Sequence, residues 1–263
     1  QLGVGIRSPM HVNFTNPASY SAFDSLAFLF EGGFTGEFVS LESNYQAASR
    51  NYASLGALLF GLPVNRWWKT SLGLTPFSDV GYNVVNYEEY PHSGTVARLY
   101  SGSGGISRLY WGNAFRIGKK LSLGLNVSYL FGSMEREAVV LFPDSINALN
   151  FKELFYVTMN DLYYTLGAQY RMKLKDDLSM TVGAVWSPTL SMASKTDIFA
   201  STFMITTAGV ETPRDTLIET RGYTGRIKIP VSAGGGLSLE RQGKWLIGAD
   251  YKWQKWEDFE AFG

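Results

Sequence analysis

The chain has 263 residues, and its 23 Lys and Arg balance 23 Asp and Glu, so the formal net charge is zero. This balance argues against a nucleic-acid-binding protein, which normally has a basic excess on one face. The absence of cysteine excludes a disulfide scaffold, a thiolate metal site and a cysteine nucleophile. Only 17% of the residues are charged, while 15% are aromatic and 28 are glycine. That mixture is typical of an all-β barrel whose apolar side chains face lipid and whose small residues line the inner wall.

Residues 1–24 are rich in Gly, Pro, Asn and Ser, which predicts neither a strand nor a helix. The first strand begins only after them, so we expect this segment to fold back into the barrel interior as a plug. The predicted organisation is a plug over 1–24 followed by a transmembrane barrel over 25–263. No run of about 18 apolar residues predicts a membrane-spanning helix. The N-terminus also lacks a basic region followed by an apolar stretch, so we expect any export signal to have been removed.

Residues 121–131 have the clearest strand pattern, with large apolar residues at odd positions and mostly small polar ones at even positions. The same alternation recurs in 162–172, 178–187, 229–239 and 245–253. Each stretch has about ten residues, the length of a tilted strand that crosses a bilayer, whereas soluble strands usually have about five or six. Aromatic residues near the strand ends predict interfacial girdles: Trp67, Trp68, Tyr110, Trp111, Tyr129, Phe131, Trp186, Trp245 and Trp253. The alternative is a soluble antiparallel barrel or sandwich with an aromatic core.

The pattern predicts nine antiparallel up-and-down strands, at roughly 25–38, 52–62, 68–77, 106–117, 120–131, 160–173, 178–188, 226–240 and 244–256. Short connections at 63–66, 118–119, 174–177 and 241–243 alternate with long ones at about 39–51, 78–105, 132–159 and 189–225. Outer-membrane barrels have short periplasmic turns and long extracellular loops, which gives the orientation. An odd number of strands cannot close such a barrel without an open edge in lipid. We therefore expect either that the chain is incomplete, which we favour, or that another segment supplies the remaining strands.

Asn16-Pro17-Ala18, just before the first strand, resembles the Asn-Pro-Ala signature of FadL-type outer-membrane transporters of hydrophobic compounds. Two further stretches, 71–82 and 102–132, also resemble members of that superfamily. The resemblance implies a fourteen-stranded barrel with an N-terminal hatch, in the bacterial outer membrane. The plug residues that it implies are Asn13, Phe14, Asn16, Pro17, Ala18 and Tyr20.

Two prolines lie within predicted strands, where a missing N–H favours an edge, a bulge or a strand end. FadL-type barrels have a kinked third strand that opens a lateral path into lipid, and Thr75-Pro76-Phe77 resembles such a kink. The alternative is the end of a strand that enters a loop. Pro230 precedes Gly234-Gly235-Gly236, where small residues would leave room for a plug or a ligand against the wall.

Catalysis and metal binding find little support in the sequence. A serine hydrolase needs a base beside its serine, and the chain has only His11 and His92. Glu88-Glu89 and the acids at 257–260 could attract hard cations, but solvated loop acids are the simpler interpretation. We therefore expect no enzyme activity, no catalytic residue, no metal and no cofactor.

The leading functional hypothesis is passive uptake of hydrophobic, fatty-acid-like small molecules, with lateral release into lipid. Such a protein would contact the lipid bilayer and lipopolysaccharide, and apolar burial would supply its affinity at about 25 cal/mol per Å². The candidate ligand or lateral-opening residues are Phe60, Pro76, Phe77, Tyr82 and Tyr110.

The second hypothesis is a structural subunit of a multi-protein outer-membrane assembly or secretion complex. A plugged barrel with long outer connections offers docking surface to other outer-membrane proteins or lipoproteins. The connection 189–225, rich in Thr, Ser and Met, is long enough for this.

Overall fold

Twelve antiparallel strands form one sheet in the computed structural model, which describes residues 3–42, 47–91, 94–145, 148–206 and 209–261, with the side chains of 37–42 and 47–55 left out. The all-β antiparallel prediction is confirmed. Two short 3-10 helices, Pro17–Ala22 and Trp256–Asp258, are the helical elements of these residues. Among the described residues, no helix is long and apolar enough to span a membrane. The strands are β1 (Leu29–Glu42), β2 (Ala47–Pro63), β3 (Trp68–Tyr90), β4 (Gly94–Ile117), β5 (Leu121–Leu141), β6 (Asn150–Lys173), β7 (Leu178–Ser187), β8 (Leu190–Ile205), β9 (Glu211–Ile229), β10 (Ser232–Arg241), β11 (Trp245–Gln254) and β12 (Glu260–Ala261).

The strands follow a meander in which neighbours in sequence are neighbours in the sheet. The order is β1-β2-β3-β4-β5-β6-β7-β10-β11, and β8, β9 and β12 prolong β7, β10 and β11. The single strand β6 pairs with β7 along its second half, for example at Lys173↔Ser179, and with β8 along its first half, for example at Asn160↔Ala193. Pro188 and Pro230 lie at two of these joints, where a missing N–H interrupts the ladder. The twelve strands therefore occupy nine neighbouring positions in the sheet, and nine is the number of strands that the alternation predicted.

The predicted lengths of the strands and long loops are wrong. Four strands, β3 to β6, have 23, 24, 21 and 24 residues. The connections expected at 78–105 and 132–159 are mainly continuations of these strands, which pair as far as Tyr90↔Gly94 and Val140↔Phe151. Antiparallel pairing satisfies each backbone N–H and C=O, so a hairpin can extend where the apolar alternation has stopped. At about 3.3 Å per residue, the longest strands span roughly 80 Å.

The sheet does not close within the described residues. Strand β1 pairs only with β2, and β11 pairs only with β10 in these parts of the chain. The short connections at 64–67, 118–120, 174–177 and 242–244 all lie at the same end of the strands. We call this the short-turn end, and we call the opposite end of the strands the hairpin end.

The two faces of the sheet have opposite chemistry. On the polar face, Ser122, Asn126 and Ser128 are buried, with at most 3% of each residue exposed. On the apolar face, Leu123 is 42% exposed and Val182 is 44% exposed. A soluble sandwich with an aromatic core would bury these large apolar residues, whereas the described structure exposes them.

The continuous apolar band of this face lies in the half of the sheet nearest the short turns, and single large apolar residues such as Val84 and Leu217 are also exposed nearer the hairpin end. In β5 the exposed-face residues are apolar from Leu121 to Phe131, and then change to Ser133, Glu135 and Glu137. Aromatic rings stack at its margins: Trp67 lies 5.9 Å from Phe115, and Tyr129 lies 5.7 Å from Phe131. The band is therefore about as wide as a tilted bilayer-spanning strand is long.

Candidate functional site: the N-terminal segment on the polar face

Residues 3–24, here called the N-terminal segment, lie against the polar face of the sheet. The 3-10 helix within the segment contacts β3, β4, β5 and β6. Five of the six residues predicted to form a plug are buried, and Phe14 is half-buried against the same surface: Asn13, Asn16, Pro17, Ala18 and Tyr20.

Asn16 joins the 3-10 helix to the sheet. Its Oδ1 accepts a hydrogen bond from the Ala18 backbone N–H at 3.1 Å, which caps the helix, and Pro17 lacks the N–H that would otherwise need a partner. Its Nδ2 donates to the Val4 carbonyl at 2.9 Å and to the Ala168 carbonyl of β6 at 3.3 Å. One buried amide therefore connects the helix, the start of the segment and the sheet.

The first residues of the segment bind side chains from three strands. Gln169 of β6 donates to the Val4 carbonyl at 2.9 Å, and Ser238 of β10 donates to the Gly5 carbonyl at 2.7 Å. The Val4 N–H donates to Asp250 of β11 at 2.9 Å. These bonds replace the strand pairing that an irregular backbone cannot make.

Tyr20 anchors the other end of the segment. Its hydroxyl donates to Asn126 Oδ1 at 3.0 Å, and Asn126 Nδ2 donates to the Phe14 carbonyl at 3.2 Å. Burial raises the pKa of Tyr20 well above its usual value, and Tyr110 adds to that shift. Tyr20 is therefore a neutral donor at physiological pH.

Glycines of the polar face provide the space that the segment occupies. Gly124 pairs with Gly167, and Gly183 pairs with Gly236 across adjacent strands. A Cβ at Gly124 would overlap the backbone of Pro17 and Ala18, and one at Gly236 would lie 2.6 Å from the Gly5 nitrogen. The prediction that the Gly234–Gly236 stretch leaves room against the wall is confirmed at Gly236.

The residues predicted to contact a hydrophobic ligand do not form one site. Tyr110 is buried on the polar face and lies 6.2 Å from Phe14, so it is not part of an exposed aromatic girdle. Phe60 packs instead with the exposed Phe30 at 5.1 Å. Tyr82 covers Gly102 in the β3–β4 hairpin and is 37% exposed.

Phe77 packs against an apolar cluster on the polar face, nearer the hairpin end. Its ring lies 5.9 Å from Tyr163 in an edge-on arrangement. This cluster could not be predicted from the sequence, because its members are spread over predicted strands and predicted loops: Ile106, Leu130, Val157, Met159, Tyr163, Met192 and Ile227.

Pro76 and Phe77 form an irregularity in β3, which is one of the two alternatives that the sequence left open. Pro76 pairs with Ser107 and Ser78 with Ile106, so Phe77 is the extra residue of a bulge. The alternative of a strand end is wrong, because β3 continues to Tyr90. Pairing with β2 stops just before the bulge, at Leu58↔Leu74.

The structure describes one of the two histidines that were considered as a base. His11 Nδ1 lies 3.6 Å from Glu31 Oε1. His92 lies outside the described residues. In the parts of the chain that the structure describes, no group of three or more His, Asp or Glu could hold a metal ion.

Asn16→Ala is expected to loosen the N-terminal segment. The change removes the helix cap, which costs about 0.5–2 kcal/mol, and it removes one of the two amide donors to the Val4 carbonyl. Hydrogen exchange of the amides in 13–21 should accelerate, while Asn86→Ala on an exposed part of β3 should leave it unchanged. Equal exchange rates in the two variants would refute the anchoring role of Asn16.

The BamG family model matches residues 1–262. A search of curated proteins and a search of solved structures each found no match. The resemblance to FadL-type transporters is therefore wrong: the matching family is named for a component of the BAM complex.

Proposed function

Because this chain belongs to the BamG family, we propose that it is an accessory subunit of an outer-membrane assembly complex. The observation that carries this proposal is the match of the family model over residues 1–262. The partners are then other outer-membrane proteins of the complex. The proposed role is structural, and it uses no cofactor and no catalytic residue.

The proposed fold is a transmembrane β-barrel in the bacterial outer membrane. The exposed apolar band supports it, because Leu123, Val182 and Leu166 would contact acyl chains rather than water. The buried serines and asparagines of the polar face would then line the interior. In lipid, the free edges of β1 and β11 require strand partners, since unpaired backbone groups there cost several kcal/mol each.

The N-terminal segment is proposed to be a fixed plug of this barrel. Its support is the set of buried hydrogen bonds from Asn16, Tyr20 and Gln169, together with the close fit over paired glycines. A segment held in this way would occupy part of the barrel interior. The surfaces left for partners are the long hairpins at one end and the short turns at the other.

The test is isolation of the complete protein from its native outer membrane through a C-terminal affinity tag in mild detergent. We expect BAM-complex proteins to co-purify in stoichiometric amounts and to migrate with it as one species in size-exclusion chromatography. A tagged outer-membrane barrel of similar abundance and unrelated function is the control. A protein that elutes alone, or that recovers no more of these partners than the control does, would refute the proposal.

A further inference from the structure

A cavity of about 720 Å³ lies between the N-terminal segment and the sheet at the short-turn end. Arg7, Pro9 and Ala22 of the segment form one wall, and residues of β4, β5, β6 and β10 with their turns form the rest. This volume is within the range of ligand pockets, roughly 300–1,000 Å³. The cavity could not be predicted from the sequence, because its residues come from distant parts of the chain.

The lining is strongly cationic. Glu240 is its only carboxylate among the described residues, against six cations: Arg7, Arg116, Lys119, Lys120, Arg171 and Lys173. Glu240 pairs with Arg171 at 3.2 Å, and the nearby Asp177 pairs with Arg241 at 2.7 Å. Within the described residues, the other five cations of the lining have no carboxylate within ion-pair distance.

Arg7 holds its charge in a half-buried position. Its Nη2 donates to Ser21 Oγ at 2.8 Å, while its buried Nε has no hydrogen-bond partner within the described residues. Burial, followed by repulsion from Arg171 and Arg116, lowers the pKa of Arg7 to about 10. The guanidinium therefore remains charged at neutral pH, with one donor unused.

We propose that this cavity binds the carboxylates of an acidic peptide segment. The inference rests on the proposed function, because it assigns the contact to a partner protein at the short-turn end. Guanidinium groups pair with carboxylates through two parallel hydrogen bonds, and three arginines line the cavity. Clustered positive charges also raise the local concentration of an anionic partner at the mouth of the cavity.

The direct test uses the complete protein in a neutral detergent and a fluorescein-labelled hexaglutamate peptide. Lys119→Gln with Lys120→Gln removes two exposed charges of the lining without disturbing a buried group. We expect fluorescence anisotropy to give an affinity about tenfold weaker than that of the unchanged protein, and a shallower dependence on salt. Lys175→Gln with Lys244→Gln removes two charges from neighbouring turns outside the cavity, and should change the affinity less than about twofold.

A second variant tests the half-buried arginine. Arg7→Lys keeps the charge but loses the planar fork, so we expect several-fold weaker binding with the salt dependence unchanged. Equal losses in the two double variants would show nonspecific attraction and overturn the proposal. Tight binding of inorganic phosphate at the same residues without binding of hexaglutamate would also overturn it, in favour of a phosphate site.

The proposed peptide site and the proposed function can be refuted independently of each other. If hexaglutamate does not bind while the complex still co-purifies, the cavity assignment is wrong and the proposed function stands. If hexaglutamate binds as expected and no complex co-purifies, the proposed function is wrong and the anion site remains.

Discussion

Gly124→Ala is expected to displace the N-terminal segment from the sheet. The added methyl group would overlap the backbone of Pro17 and Ala18, which cannot move aside as a flexible side chain can. Overpacking of this kind costs about 1–3 kcal/mol, roughly a 5- to 150-fold increase in the open population of the segment. Hydrogen exchange measured by mass spectrometry should show this as faster exchange of residues 13–21, whereas amides in the paired core of β5 should exchange as before.

Gly235→Ala is the matched control for Gly124→Ala. Gly235 lies in β10 beside Gly236, and a Cβ there would meet no atom closer than 4.0 Å. The same loss of backbone freedom therefore occurs without a collision. Unchanged protection of residues 13–21 in Gly124→Ala, or equal loss in both variants, would contradict the idea that paired glycines hold the segment.

The meander could be predicted from the sequence because its signal is local. Within residues 121–131, the position of each residue is enough to predict the face of the sheet on which it lies, since side chains alternate along a strand. The short turns at 118–120 and 174–177 were also recognisable from Gly118 and from the charged run that ends at Asp177. The side-chain alternation and the turn residues were together enough to predict nine strand positions.

The extent of the strands could not be predicted in the same way. Beyond Phe131 the outward residues change to Ser133 and Glu135, so the apolar alternation ends while the pairing continues. Pairing in such a hairpin depends on the partner strand, which a local window does not contain. A proline likewise indicated an irregularity at Pro76, but only the register of β3 and β4 distinguishes a bulge from a strand end.

The candidate site was harder still to predict, because it depends on which residues of distant segments lie side by side. Asn16, Pro17 and Ala18 were identified as plug residues through a resemblance whose family assignment was wrong. The same residues nevertheless have physical roles, as a helix cap and as the part of the chain that packs over Gly124 and Gly167. The pairing of those two glycines, and the approach of Arg7 to Arg171, join residues more than forty positions apart.

Leu166→Arg is expected to be among the most damaging changes on the apolar face. Leu166 is 46% exposed, lies near the middle of the apolar stretch of β6 and pairs with Leu125. An arginine at the middle of a bilayer costs about 2–4 kcal/mol in a transmembrane barrel. We expect the free energy of unfolding in phosphatidylcholine bilayers, measured by guanidinium titration of the complete protein, to fall by that amount.

Thr158→Arg separates the effect of lipid from the effect of a bulky charge on a strand. Thr158 lies on the same strand and the same exposed face, eight residues nearer the hairpin end, where the outward residues are polar. An arginine near or beyond the interface costs only about 0–1 kcal/mol, so this variant should unfold almost as the unchanged protein does. If both variants lose the same stability in bilayers, or if Leu166→Arg folds as well as the unchanged chain, the apolar band does not face hydrocarbon, and the proposed transmembrane barrel is wrong.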